Sequence, residues 1–359
     1  MKPNSKIAIF IILLLSSGLS FKSSAEATVS CPFLPLDGES GRRHIEGLVT
    51  SLVVETFTVN GANDIEKLDK LMMQLTDENC ALSDGRKTLN FTHAGFEKAF
   101  KKIKNKDVIL NKLKIIQDEK PDAIYPILAE AHFWIYYAWK ARGSGYASTV
   151  KPEQWKLFRE RLSKAEKILV DNKDRASVSP IWYQLMYVPI FHLKHSQEEK
   201  AQYYEEGFKS HKDFLRLYIL RRNQLRPRWG GSWEKVDSFI RWSTEYTKDI
   251  EGMGMYARLY FGVYDNLRKN ENLYDDTPAT WEKLKAGLED LVRIYPNSLF
   301  HKNIFALMAC EASDQIAYHD IRSKISKSVK WEWSEKYNVS LCDSLLEYPK
   351  TNILNESKI

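Results

Sequence analysis

Residues 127–139 read ILAEAHFWIYYAW and place apolar side chains at almost every position of one predicted helix. With about 100° between successive residues, Leu128, Phe133, Trp134 and Tyr136 lie on different sides of that helix. A helix that is apolar all round is buried. The stretch therefore predicts the central helix of a helical protein, and Gly143 is expected to end it.

The rest of the chain shows helical spacing and no strand-like alternation. The predicted helices are short, paired and joined by brief turns, with proline recurring at their ends. This pattern is typical of helical hairpins that stack and bury one face against the next pair. The predicted fold class is therefore all-α, a tetratricopeptide-like α-solenoid of stacked helical hairpins. Residues 281–296, followed by Ala306, Ala309 and Ala317, resemble a degenerate tetratricopeptide repeat.

The N-terminus has the three parts of a secretory signal peptide. Lys2 and Lys6 precede an unbroken apolar run at residues 7–15, and Ser23 and Ala25 supply small residues before a cleavage site. The run is too short for an ordinary membrane-spanning helix, which weighs against an uncleaved anchor. We therefore expect residues 1–25 to be removed, and the chain to be periplasmic or secreted, with no stable membrane insertion after cleavage.

The charge balance argues against nucleic acid as a partner. The full chain carries a formal net charge of +6, and removal of residues 1–25 takes away three lysines and no acid, leaving +3. A balance this mild does not indicate a nucleic-acid-binding protein. Residues 26–348 are predicted to form a single helical-hairpin array, with possible subdomains at 26–120 and 121–348. Residues 349–359 are expected to be a disordered tail.

The four cysteines are Cys31, Cys80, Cys310 and Cys342. An even number in an exported protein indicates disulfides, and three connectivities are possible. We favour Cys31–Cys80 and Cys310–Cys342, because each pair would join neighbouring helices at one end of the molecule. The spacing matches no zinc motif.

Residues 226–233, RPRWGGSW, are predicted to form a turn between two helices. Proline stops the first helix, the two glycines permit positive φ, and the serine caps the next helix. One interpretation is an anion or carboxylate site, built from backbone N–H groups and arginine. The other is a structural corner with the tryptophan packed into the core. The candidate binding residues are Arg226, Arg228, Trp229, Gly230, Gly231 and Ser232.

An ordered set of motifs resembles a known family. The motifs are Ser83-Asp84-Gly85-Arg86, Ala138-Trp139-x-Ala141-Arg142-Gly143, Trp155-x-x-Phe158, Pro180-x-Trp182-Tyr183 and Leu225-Arg226-Pro227-Arg228-Trp229-Gly230-Gly231-Ser232. Together they resemble an uncharacterised bacterial domain-of-unknown-function family with an L-x-P-x-W-G-G-S signature, over roughly residues 75–246. The resemblance implies an exported, tetratricopeptide-like protein, and it implies no catalytic residue.

Two further patterns each have two interpretations. The basic run Arg216, Arg221, Arg222, Arg226 and Arg228 could meet an acidic partner or form a solvated face. The aromatic runs at residues 133–139, 182–191 and 256–264 could line a concave groove or fill the core. Core packing is the usual role of such aromatic stripes.

No complete metal or catalytic motif is present. Glu130 and His132 are two residues apart, so they should point to different sides of a helix. His192 and His195 could share a face, but no carboxylate completes a site. The sequence therefore predicts no metal, no cofactor and no catalytic residue.

The predicted role is a non-catalytic module that binds a protein or peptide, or acts as a scaffold, on its concave face. The alternative is an enzyme of unknown class with a site around Arg228, Trp229, Glu130 and His132. A binding module should tolerate changes to Glu130 and His132, whereas an enzyme should lose turnover when an ionisable group is removed.

Overall fold

The computed structural model describes residues 37–58, 63–76, 80–268, 270–326, 333 and 337–348. In these segments the regular structure is helical, and the β-type pairing is a single isolated bridge between Ala81 and Lys87. The all-α prediction is confirmed over this part of the chain. The predicted signal peptide of residues 1–25, Cys31 and the predicted tail of residues 349–359 lie outside the described residues.

Eighteen α-helices are present in the described segments. The first nine are α1 Gly38–Thr58, α2 Asn63–Thr76, α3 Thr92–Lys102, α4 Lys106–Glu119, α5 Tyr125–Arg142, α6 Pro152–Asp171, α7 Lys173–Ala176, α8 Pro180–His192 and α9 Gln197–Ser210. The others are α10 Leu215–Gln224, α11 Trp233–Tyr246, α12 Lys248–Glu251, α13 Gly254–Tyr264, α14 Leu273–Asp276, α15 Trp281–Ile294, α16 Leu299–Glu311, α17 Gln315–Arg322 and α18 Val339–Leu345.

Helix α5 is the central helix that the sequence predicts. It packs against α3, α4, α6 and α8. Leu128, Phe133 and Ile135 are buried, and the larger rings of Trp134 and Tyr136 are half-buried against the same core. Gly143 ends the helix with φ of 78°, a left-handed conformation that favours glycine.

The first described helix also contacts a helix from the last third of the chain. Helix α1 packs against α16. Just before α1, the carboxylate of Asp37 accepts hydrogen bonds from Ser298 Oγ at 2.9 Å and from the Phe300 backbone N–H at 2.8 Å. These contacts join segments that are 261 and 263 residues apart in sequence. The N-terminal helices are therefore fixed against the C-terminal ones.

A buried ion pair at Asp84 completes this connection. Its carboxylate accepts hydrogen bonds from Arg86 Nε at 3.0 Å, Arg86 Nη2 at 2.7 Å and the Gly38 N–H at 3.1 Å. The backbone carbonyl of Asp84 accepts from Arg258 Nη2 at 2.7 Å and from His301 Nε2 at 2.8 Å. We call these residues the Asp84 network. It ties the start of α1 to α13 and α16.

Cys310 in α16 and Cys342 in α18 form a disulfide, with Cα atoms 5.8 Å apart. The structure therefore agrees with the prediction for this pair. Cys80 is buried, but Cys31 lies outside the described residues, so the pairing of Cys31 with Cys80 stays a prediction. The Cys310–Cys342 bond attaches α18 to the main body of helices.

Replacing Cys342 with serine is expected to lower the free energy of unfolding. The two cysteines are 32 residues apart, and closing a loop of that size stabilises by about 3–4 kcal/mol in the chain-entropy model. Denaturant unfolding followed by circular dichroism measures the loss. The double variant C310S/C342S should lose the same amount as C342S alone. An unchanged unfolding midpoint in both variants would show that the bond does not stabilise the fold.

Candidate functional site

The turn at residues 226–233 stops α10 and starts α11, as the sequence predicts. Gly230 has φ of 81°, in the left-handed region that favours glycine. A Cβ atom on Gly231 would lie 1.8 Å from a backbone oxygen, so this close approach requires glycine. The Ser232 side chain accepts a hydrogen bond from the third residue of α11 and caps that helix.

Three backbone N–H groups of this turn donate to carbonyl groups within the turn itself. Those of Trp229 and Gly231 donate to the Arg226 carbonyl at 2.9 and 3.1 Å, and that of Gly230 donates to the Pro227 carbonyl at 3.0 Å. These three donors therefore already have acceptors. The positive charge that the turn can offer to an anion resides on its arginine side chains.

The two arginines of the turn have different environments. Arg226 donates to Asn266 through Nη1 to Oδ1 at 3.2 Å and through Nη2 to the carbonyl at 3.1 Å, so it holds the turn against the end of α13. Arg228 is exposed and has no carboxylate partner among the described residues. Its guanidinium carbon lies 6.0 Å from the ring centroid of Tyr146 and 5.8 Å from that of Trp229. Arg228 therefore has its charge available to a ligand.

Trp229 begins a row of aromatic rings. It is 44% exposed, so it is not packed into the core, and its ring meets Phe191 edge to face at 5.9 Å. Phe191 stacks on Tyr187 with centroids 6.1 Å apart and planes 11° apart. We call these three residues the aromatic row. Burial raises the pKa of Tyr187 to about 12, although the positive charges of Arg216 and Arg221 act to lower it. The row thus leads from the exposed turn toward Arg216.

A groove of about 410 Å³ begins at Arg216, between α1, α3 and α10. We call it the Arg216 groove. The Arg216 backbone N–H donates to Asn90 Oδ1 at 3.0 Å, which fixes α10 beside the start of α3. The charged and polar residues of the groove are Arg42, Glu46, Arg86, Asn90, His93, Glu97 and Arg216. The groove therefore presents both positive and negative groups, with arginine the more numerous.

Two histidines and a carboxylate meet at the inner side of this groove. His93 Nε2 lies 3.2 Å from Glu97 Oε1, one helical turn further along α3. The ring of His93 stacks on that of His132 from α5, with centroids 4.2 Å apart and planes 12° apart. One potential ligand atom from each of the three residues lies within 4.8 Å of the others. We call this set the histidine cluster.

Burial determines the protonation of His132, and hydrogen bonding with nearby charge determines that of Glu97. His132 is 3% exposed and lies against the rings of Phe96 and Phe100. Burial, followed by the charge of His93, holds the pKa of His132 well below its usual value. Burial tends to raise the pKa of Glu97, but hydrogen bonding and charge from His93, with the charge of Arg216, lower it. The cluster therefore contains a neutral imidazole and an ionised carboxylate.

Several buried polar atoms around the cluster have no hydrogen-bond partner. They are His132 Nε2, His93 Nδ1 and both amide atoms of Gln184, which is 3% exposed. A cavity of about 10 Å³ lies among His93, His132 and Gln184. An unpaired buried polar group costs about 1–3 kcal/mol, so these side chains are arranged at a cost to stability. Such an arrangement is typical of a binding site.

In the enzyme alternative, no described contact brings Glu130 or His132 to Arg228 and Trp229. The carboxylate of Glu130 accepts hydrogen bonds from Gln117 at 2.8 Å and Trp134 at 3.4 Å, while His132 is buried on another side of α5. Their predicted divergence is confirmed. His192, rather than His132, is the histidine beside Trp229, with ring centroids 6.4 Å apart.

The basic run does not form one solvated face. Arg222 is buried and donates to the Leu259 carbonyl at 2.8 Å, and Arg221 donates to Gln224 at 2.6 Å. Burial, and then the charge of Arg226, lowers the pKa of Arg222 to about 9. The exposed charge of the run is therefore concentrated at Arg228.

Sequence reasoning missed His93, Glu97 and Gln184. The spacing of His93 and Glu97, four residues apart in a predicted helix, was a signal that could have paired them. His132 and Gln184 join them only because α3 and α8 both pack against α5. That packing cannot be read from local spacing.

Comparison with known proteins gives no match to a family model, a curated protein or a solved structure. The resemblance to an exported domain-of-unknown-function family therefore stays a prediction. Among the described helices, none combines the length and apolar character needed to cross a membrane. The chemistry of the site is the basis for the function proposed below.

Proposed function

We propose that this chain is a non-catalytic binding module that holds an acidic segment of a peptide or protein. The ligand would lie along the aromatic row, from Trp229 past Phe191 and Tyr187 toward Arg216. Aromatic rings provide large apolar contact area at little entropic cost, and arginine recognises carboxylates. The observation that supports this most strongly is the exposed, unpaired guanidinium of Arg228 beside two exposed rings.

A second aromatic surface lacks this feature. Trp242 is 45% exposed and stacks on Tyr246, with centroids 5.1 Å apart. The neighbouring cation, Lys212, donates to the carboxylate of Asp249 at 2.6 and 2.8 Å. The charge of Lys212 is therefore paired with a carboxylate of the same chain at the surface. We therefore place the acidic ligand at Trp229 and use Trp242 as a matched control.

The proposal also includes the arrangement of the helices and the cellular compartment of the chain. We infer a tetratricopeptide-like stack of helical hairpins, supported by the contacts between successive helices such as α4·α5, α5·α6, α15·α16 and α16·α17. The contact of α1 with α16 adds a connection between distant parts of the stack. Export to the periplasm or outside the cell is supported by the sequence of residues 1–25 and by the Cys310–Cys342 pair.

A peptide selection tests this proposal. Peptides from a random display library are selected for binding to the purified chain. Enriched sequences should place Asp or Glu close to an aromatic residue. Trp229→Ala should weaken binding of a selected peptide by about tenfold or more, since tryptophan and arginine dominate binding energy at such surfaces. Arg228→Ala should weaken the binding of acidic peptides. It should not change the binding of analogues in which Asn or Gln replaces Asp or Glu. Fluorescence anisotropy measures these affinities.

The Trp242→Ala variant controls for a general effect of removing an exposed tryptophan. It should bind the selected peptides as the unchanged chain does. Equal losses in Trp229→Ala and Trp242→Ala, or full affinity in Trp229→Ala with an unchanged circular dichroism spectrum, would refute the proposed surface.

A further inference from the structure

We propose that His93, Glu97 and His132 bind one divalent transition-metal ion of the zinc class at the inner side of the Arg216 groove. This site is separate from the aromatic row, and its test needs no peptide. The proposal rests on the placement of three side chains from two helices, and on the unpaired polar atoms that surround them.

The ligand spacing fits a small metal ion. A tetrahedral Zn²⁺ with bonds of about 2.0–2.2 Å holds its ligand atoms about 3.3–3.6 Å apart. His93 Nε2 and Glu97 Oε1 are already 3.2 Å apart. The potential ligand atoms of the full set, including His132, lie within 4.8 Å of one another. The widest of these separations therefore exceeds the tetrahedral value by about 1 Å.

The unpaired atoms are an independent indication of a ligand. His132 and Gln184 are each 3% exposed, and His132 Nε2 and both Gln184 amide atoms have no hydrogen-bond partner. The cavity between them measures about 10 Å³. That space suits a single ion or one water molecule, and no organic ligand. A water molecule is thus the alternative that the experiment must exclude.

The ring arrangement identifies the side chain that moves. A histidine nitrogen coordinates through a lone pair in its ring plane, so two rings only 12° from parallel cannot share one ion without rotation. His132 is enclosed by Phe96 and Phe100, whereas His93 is half-buried and lines the groove. We therefore expect His93 to rotate on binding.

The donor set selects the class of metal. Two imidazoles and one carboxylate suit Zn²⁺ and its transition-metal neighbours, whereas Ca²⁺ and Mg²⁺ prefer oxygen ligands. The positive charge of Arg216 interacts with Glu97 and opposes a second cation nearby. Replacing Arg216 with methionine should therefore strengthen binding of the metal, an effect opposite to that expected if the same residues bound an anion.

Isothermal titration of the chelator-treated, untagged full chain with Zn²⁺ tests the proposal. The expected stoichiometry is one ion per chain. Loss of a residue that only supports a metal ligand typically weakens metal binding by about 10- to 100-fold. Removing one of the three metal-binding side chains should weaken it at least as much. The side chains of His93 and Glu97 are partly exposed, so His93→Asn and Glu97→Gln test this without disturbing the core. His132→Asn tests the buried ligand, with circular dichroism reporting whether it folds.

His195→Asn is the matched control. His195 lies between Glu166 at 2.5 Å and Glu199 at 3.7 Å, so it is a second histidine flanked by carboxylates. The control should keep the stoichiometry and affinity of the unchanged chain. The proposal fails if the unchanged chain binds no Zn²⁺ stoichiometrically, which would leave water in the cavity. It also fails if H93N and E97Q bind normally, or if H195N removes the binding.

Discussion

Replacing Asp84 with alanine is expected to destabilise the folded chain by about 3–5 kcal/mol, the cost of breaking a buried ion pair from one side. The Asp84 side chain is fully buried, and the substitution leaves the largely buried guanidinium of Arg86 without its carboxylate. The Gly38 N–H loses its acceptor as well. Because the Asp84 network joins α1 to α13 and α16, the loss should appear as a lower midpoint of global unfolding in denaturant.

An exposed ion pair nearby provides the control for Asp84. Asp213 pairs with Lys87 at 3.2 Å, and its side chain is 48% exposed. Exposed pairs contribute at most about 1 kcal/mol, so Asp213→Ala should change the unfolding midpoint little. If Asp84→Ala and Asp213→Ala cost the same, the Asp84 network does not hold α1 against α13 and α16.

As the pH is lowered, the chain is expected to lose stability at pH values well above those at which carboxylates protonate. Burial, followed by the charge of Arg258, lowers the pKa of His301 to about 3, and burial, followed by Arg142, lowers that of His192 to about 4. In the unfolded chain these histidines take up protons near pH 6.5. Stability is therefore present above pH 6.5 and falls as the pH drops toward 4.

The size of this effect follows from proton linkage. Each histidine that is neutral in the folded state and protonated in the unfolded state contributes about 1.4 kcal/mol per pH unit between those limits. His192 and His301 together give a slope of up to about 3 kcal/mol per pH unit near pH 5, and the lowered pKa of His132 acts in the same direction. Urea unfolding at a series of pH values between 7 and 4 measures the slope.

Asp84 adds a second, more acidic step. Burial alone raises its pKa, but the charge of Arg86 and its hydrogen bonds bring the pKa down to about 2. Its stabilising contribution is therefore complete above about pH 4 and is lost as the pH falls through 2. Replacing His301 with glutamine should reduce the slope near pH 5 by about 1.4 kcal/mol per pH unit and leave the step below pH 4 in place. A slope that is the same in His301→Gln and the unchanged chain would contradict this assignment.

Features set by local sequence were predictable. The burial of α5 follows from apolar residues at every helical position, and the conformation of Gly230 and the cap at Ser232 follow from turn chemistry. Core packing of most aromatic rings was the favoured interpretation, and Phe133, Tyr183 and Tyr260 are indeed buried. Each of these outcomes depends on neighbours within a few residues.

Features set by distant packing were not predictable. The Asp84 network joins residues 174 and 217 positions apart, and nothing in the local pattern of Ser83-Asp84-Gly85-Arg86 reveals those partners. His93 meets His132 only through the packing of α3 on α5. The sequence favours a structural corner with Trp229 in the core over a binding site. The exposure of Trp229 depends on how α8 lies beside the turn, which local sequence does not reveal.

Hydrogen–deuterium exchange of the chain with and without a selected acidic peptide tests the proposed binding surface most directly. Binding along the aromatic row predicts slower amide exchange at residues 187–192 and 226–233, and no change at residues 239–246 around Trp242. Protection confined to residues 239–246, or absent from 226–233 at saturating peptide, would contradict the proposed surface.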